Sequence, residues 1–164
     1  MKLLLPTYRI NSVFDIKVEF LKEQNIETLI FDADSTLIQA KSRSVDKSVI
    51  NKLGELEKSG INILIASNGR VDRINEIFSK HSIKAYPMCL KPLPFKLGRL
   101  IGKNGRKTAA IVGDQLFTDI LCANFLGIRS FMTEPYGNDR GMFMKTKRRI
   151  EKRILNRKTK EVDI

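Results

Sequence analysis

With 164 residues, 42% of them apolar, the chain has the material for one packed core. It holds no run near the roughly 20 apolar residues that cross a bilayer, so no membrane-spanning helix is expected. A formal net charge of +12, from 30 basic against 18 acidic residues, favours polyanions: nucleic acid, anionic lipid or phosphorylated substrates.

The opening Met1-Lys2-Leu3-Leu4-Leu5-Pro6 is too short for a secretory signal, and a cytoplasmic place is expected. Glu27-Thr28-Leu29-Ile30-Phe31 reads as a buried strand ending at Asp32. A helix from about Val45 to Lys58 follows, with Val49, Ile50, Leu53 and Leu56 at helical spacing and Gly60 as its stop. Ile61 to Ala66 is a second strand, ending at Ser67. A helix from about Val71 to Lys80 leads to an extended piece near Lys84 to Tyr86. Pro92 and Pro94 precede a helix reaching Ile101. Thr108 to Val112 is a strand ending at Gly113-Asp114, residues Gln115 to Phe125 are helical, and Ile128 to Met132 is a last strand. Strands alternating with helices imply a doubly wound α/β domain with a mainly parallel sheet.

Ligands of such sheets bind beyond the carboxyl ends of the strands, and the polar residues fall there. Asp32-Ala33-Asp34-Ser35-Thr36 follows the first buried strand. Two acids so placed need a cation, and Mg²⁺ is the natural partner of oxygen ligands and phosphate. An EF-hand is ruled out, because its sixth and twelfth positions are Leu37 and Arg43 where Gly and Glu are required. Ser67-Asn68 offers a hydroxyl for a phosphoryl oxygen, or else a helix cap. Lys91, ahead of Pro92 at an expected helix start, offers a cation to an anion. Gly113-Asp114-Gln115-Leu116-Phe117-Thr118-Asp119 adds two acids after a third buried strand. Each has a bland explanation singly; together they line one rim.

Other features carry less. Gly102 to Thr108 has the wrong spacing for a P-loop and precedes a strand. His81 is the sole histidine, which excludes a His-rich site. Cys89 and Cys122 lie far apart in apolar company and read as reduced, buried thiols.

The four ordered segments resemble the motifs of the haloacid dehalogenase (HAD) superfamily. Asp32-x-Asp34-x-Thr36 is similar to the first, Ser67 to the second, Lys91 to the third and Gly113-Asp114-x-x-x-x-Asp119 to the fourth. A closer resemblance, over nearly the whole chain, is to subfamily IIIA phosphatases of the YqeG type, whose relatives include phosphatidylglycerophosphate phosphatases. It takes in Pro6, Ser12 to Ile16, Ser67-Asn68, Lys91-Pro92, Gly113 to Asp119 and Glu151 to Leu155. Ala33 stands where a bulky apolar residue is commoner, and Ser35 where Asn is commoner.

The resemblance implies a magnesium-dependent phosphomonoester hydrolase. In it Asp32 is the nucleophile and forms an aspartyl-phosphate, Asp34 serves as acid and then base, and Ser67 and Lys91 hold the transferring group. Mg²⁺ would be held by Asp32, the Asp34 backbone carbonyl and Asp114. Thr36, Asn68, Gly113 and Asp119 would support these or touch substrate. The short intervals between motifs leave no room for a cap domain, and an open site suits a bulky substrate, above all phosphatidylglycerophosphate at the inner face of the cell membrane. One domain over residues 1–164 is expected, ending in a basic helix or tail at about 141–160. There Lys145, Lys147, Arg148, Arg149, Lys152, Arg153, Arg157, Lys158 and Lys160 face the single acid Glu151, and Phe143, Ile150 and Ile154 share a helical face. Such a helix packs on the domain or lies on an anionic bilayer. Alternative substrates are nucleotides, phosphosugars or a phosphoprotein. A non-catalytic RNA- or ribosome-binding module is disfavoured, because Tyr8, Tyr86 and Tyr136 are scattered and form no stacking platform. Oligomeric state has no signature in the sequence.

Overall fold

The computed structural model of the chain describes residues 2–137, 146, 149–151 and 153–155. Six parallel strands form one sheet in the order β1-β6-β5-β2-β3-β4, with β1 Tyr8–Ile10, β2 Thr28–Phe31, β3 Asn62–Ala66, β4 Ala85–Tyr86, β5 Ala109–Gly113 and β6 Arg129–Thr133. The central strands are continuous apolar runs because both faces are covered. Alternate side chains enter two separate cores. Leu29, Phe31, Ile63, Ile65, Ala110 and Val112 join α2 (Lys47–Lys58) and α3 (Val71–Ser79) on one face. Ile30, Leu64, Ala66, Ala109 and Ile111 join α4 (Phe95–Gly105) and α5 (Leu121–Leu126) on the other.

The helices follow their apolar spacing. α2 buries Val49, Leu53 and Leu56, and α3 buries Ile74, Ile77 and Phe78. Gly102 takes φ 65° inside α4 and kinks it, a conformation glycine adopts without a steric penalty. The doubly wound parallel architecture is the expected one. Among the described residues, the chain between Asp32 and Lys91 holds only α2, β3, α3, β4 and their connections, with no inserted domain.

The structure adds elements ahead of Glu27. β1 pairs in parallel with β6 at the sheet edge, and α1 (Val18–Glu23) follows it. Tyr8 packs on Phe20 and Phe131, with ring centroids 5.1 and 4.8 Å apart. It also corrects two readings. Lys91 is not at a helix entrance: Lys91-Pro92 is a cis peptide in a turn, and α4 begins only at Phe95. Gln115 to Phe125 is not one regular helix either, because a π-helical turn at Leu116–Ile120 precedes α5.

Of the expected basic segment, Phe143, Lys145, Lys147, Arg148, Lys152, Arg157, Lys158 and Lys160 lie outside the described residues. Residues 149–151 and 153–155 are helical. The face they pack differs from the one expected: Ile150 is exposed, whereas Glu151 and Leu155 are buried and Ile154 packs beside Leu116, Ile120 and Met132. Glu151 turns inward because its Oε1 accepts the Leu116 N–H at 3.0 Å, satisfying a donor that opens the π-turn.

Candidate active site

β2 is the strand from which the chain goes out to β3 and β4 on one side and returns to β5 on the other. The carboxyl ends of β2 and β5 thus flank the switch point where open α/β sheets bind ligands. The Asp32 N–H donates to Val112 O at 2.8 Å, which sets the Asp32 side chain beside the end of β5. Asp114 leaves the end of β5, and the π-turn brings Asp119 back over it. One carboxylate oxygen from each of Asp32, Asp114 and Asp119 lies within 4.8 Å of the others, all three residues being buried. Thr36 Oγ1 donates to Asp114 Oδ1 at 3.3 Å.

Lys91 reaches this floor from the loop after β4. Its Nζ lies 2.5 Å from Asp32 Oδ1 and 2.6 Å from Asp119 Oδ1, and donates to Ala66 O at 2.7 Å. Asn68 sets the loop: its Oδ1 accepts the Lys91 N–H and its Nδ2 donates to Lys91 O, both at 2.8 Å. Asn68 therefore positions Lys91. Ser67 Oγ accepts from the Gly69 N–H at 2.9 Å in a local turn, four residues before α3 begins, so it is not a cap for that helix. Ser67 lines the cleft.

Gly113 is needed for space. A Cβ there would lie 2.4 Å from Asp119 Cγ, far inside contact distance. The Asp119 carboxylate is held over this bare backbone by the Gln115 N–H at 3.2 Å and by Thr118 Oγ1 at 3.3 Å.

Asp34 stands apart. Its side chain is at the rim, paired with the Arg73 guanidinium from α3 and accepting the Lys41 N–H at 3.2 Å. Arg73 also donates to Ser42 O at 2.9 Å. Ser35, between Asp34 and Thr36, takes φ 61°, a left-handed conformation that Asn tolerates better than most residues. Asp32, Asp34, Ser67, Asn68, Gly69, Lys91, Gln115 and Thr118 line one open cleft of about 290 Å³.

Burial pushes the Asp32 carboxyl well above the usual carboxylate range; the Lys91 ammonium pulls it back, and Asp119 and Asp114 push it up again. For Lys91, burial favours the neutral amine, but the charges of Asp119 and Asp32 outweigh it and hold the ammonium above its ordinary value. Two of the three clustered carboxylates, Asp32 and Asp119, thus pair with the Lys91 ammonium, and Asp114 lies beside both. The all-oxygen donor set of the three suits a hard divalent cation. The residues fit a metal.

The sequence motifs named the floor but missed Arg73, which carries no spacing signal: it is one arginine on an amphipathic helix. Glu151 was legible only as an isolated acid in a basic stretch. Its hydrogen bond to Leu116 follows from folding, not spacing.

The family model described as mitochondrial PGP phosphatase matches residues 1–88, more than half of the chain. The chain belongs to this family. The match ends three residues before Lys91, but the Bacillus subtilis protein named "Probable phosphatase YqeG" is 28% identical over 157 residues, covering 94% of this chain and 91% of that one. Among solved structures, the 3-deoxy-D-manno-octulosonate 8-phosphate phosphatase of Moraxella catarrhalis, in complex with magnesium, phosphate and its sugar, superposes with a TM-score of 0.52 at 16% identity, over 86% of this chain and 92% of that one. The 4-nitrophenylphosphatase of Thermotoga maritima gives 0.50 at 12% identity, over 90% and 95%. These show the shared fold. This PGP phosphatase family member is a phosphoric monoester hydrolase.

Proposed function

We propose that the enzyme hydrolyses phosphatidylglycerophosphate to phosphatidylglycerol through an aspartyl-phosphate on Asp32, with Mg²⁺ as its ion. The observation that carries the reading is the cluster of Asp32, Asp114 and Asp119 at the switch point, with Lys91 paired to Asp32 and Asp119. The name of the matched family and the open cleft support the lipid substrate.

Asp32 attacks phosphorus from the cleft floor, where burial fixes its direction and Lys91 offsets the charge of the incoming phosphoryl oxygens. Asp32, Asp114 and the Asp34 carbonyl would hold the Mg²⁺, which when bound supplies positive charge against the phosphoryl group. Asp119 anchors Lys91, and Thr36 anchors Asp114. The Ser67 hydroxyl donates to a transferring oxygen. Asp34, at the rim where an alkoxide leaves and water enters, gives a proton to the first and takes one from the second. Arg73 positions Asp34, and its planar guanidinium matches a phosphate as well as a carboxylate. The whole chain, with its basic segment at about 141–160, acts as one domain at an anionic membrane surface.

The test is a substrate panel with Mg²⁺ and with chelator: phosphatidylglycerophosphate in detergent micelles, nucleoside monophosphates, phosphosugars and an aryl phosphate. Lipid turnover that needs Mg²⁺ and disappears in a folded Asp32→Asn variant is expected. Fast nucleotide turnover with indifference to the lipid would refute the substrate, and full activity of the variant would refute the nucleophile.

A further inference from the structure

The loop from Met88 to Phe95 places large apolar side chains in solvent beside the cleft. Met88 is 53% exposed, Leu90 60%, Leu93 49% and Phe95 74%, while the alternating Cys89 and Lys91 are buried. The loop is pinned to the cleft wall: Met88 N donates to Gly69 O at 3.3 Å, Cys89 N to Ser67 O at 2.9 Å and Lys91 N to Asn68 Oδ1 at 2.8 Å. Met88 and Leu90 adopt φ of 48° and 56°, where Gly or Asn is the unstrained choice. The same strained backbone that turns Lys91 into the floor holds Met88 and Leu90 in water at the mouth of the site.

The surrounding charge identifies the occupant. Between Glu76 and Asp114 there is no acidic residue, but there are eight basic ones, Lys80, Lys84, Lys91, Lys96, Arg99, Lys103, Arg106 and Lys107. Lys96 and Arg99, next to Phe95 on α4, are exposed, and Lys96 Nζ reaches the Pro87 carbonyl at the base of the loop. Exposed apolar side chains bordered by the exposed cations Lys96 and Arg99 complement an anionic bilayer; an acid-bearing protein partner would leave the apolar tips without an acyl phase to enter.

We propose that residues 88–95 seat the enzyme on anionic membrane. Met88, Leu90, Leu93 and Phe95 enter the headgroup–acyl boundary, Lys96 and Arg99 meet lipid phosphates, and the cleft beside Lys91 faces the headgroups. This deepens the lipid reading above and rests on it for the substrate, not for the seating.

The chain contains no tryptophan, so the indole introduced by Phe95→Trp in the full chain is a sole reporter. With phosphatidylcholine vesicles containing phosphatidylglycerol, its emission is expected to shift to the blue and to be quenched by brominated acyl chains; with pure phosphatidylcholine both effects are weaker. Leu90→Asn with Phe95→Ser, the first favoured by its backbone, is expected to lower vesicle affinity about 100-fold, at about tenfold for each apolar side chain, with aryl phosphate turnover unchanged. Vesicles that sediment the Phe95→Trp protein without shifting its indole emission would overturn the proposal. So would a blue shift that grows with protein concentration in the absence of vesicles, which marks a second copy as the occupant. Insertion without turnover of phosphatidylglycerophosphate upholds the seating and overturns only the substrate.

Discussion

Asp32 and Asp34 are two residues apart, yet their surroundings are opposite. At the floor, Asp32 shares one buried ammonium with Asp119 and lies beside the buried Asp114. At the rim, Asp34 is partly exposed and paired with a guanidinium from another helix. The floor gathers three acids around one ammonium-paired core, whereas the rim pairs its acid with a guanidinium within reach of water. One short turn thus places one carboxylate in the buried cluster and the next at the open edge, the division of labour that the proposed acid–base role of Asp34 requires.

Removing the floor's ammonium should have the largest effect. Lys91→Met leaves the buried Asp32 and Asp119 without their ammonium, which costs about 3–5 kcal/mol, and thermal melting should show it; turnover should disappear. Divalent ion should restore part of the lost stability. An unchanged melting temperature would break the contrast between floor and rim. Gly113→Ala comes next, since its methyl must displace the Asp119 carboxylate. It should cost about 1–3 kcal/mol and lower turnover about 100-fold, measured by melting and by steady-state kinetics.

At the rim, Arg73→Met should cost about 1 kcal/mol, less than the fully buried floor, because the pair keeps some contact with solvent. It should nevertheless lower aryl phosphate turnover about tenfold, because Asp34 loses its orientation. A larger loss of stability than of activity would move Arg73 from the site to the scaffold. The smallest effect concerns the thiols. Burial pushes Cys122 up to about 12 and also raises Cys89, so the thiolate forms only as the pH rises toward that range. Both should resist thiol reagents at neutral pH and react on denaturation.

Much of the fold was legible because β2, β3 and β5 are apolar runs each broken by a chemically reactive residue, and α2 and α3 carry helical spacing. β1 was not, because Tyr8-Arg9-Ile10 is too short to show alternation and gains its place only by pairing with β6. The floor was legible from its motif spacing. The approach of Lys91 was misread, because Pro92 suggested a helix start where the chain makes a turn. Asp119 was expected at the site from the fourth motif, but the π-turn and the bare backbone at Gly113 that bring it there were not legible. Arg73 reaches Asp34 only through the packing of α3, which no local pattern records.

The central claim is that Asp32 accepts the phosphoryl group. Rapid acid quenching during turnover, followed by peptide mass spectrometry, tests it most directly. The account predicts a phosphate on the Asp32 peptide of the parent enzyme, absent from Asp32→Asn. Sustained turnover with Asp32 unmodified, or with the phosphate on another side chain, would contradict it.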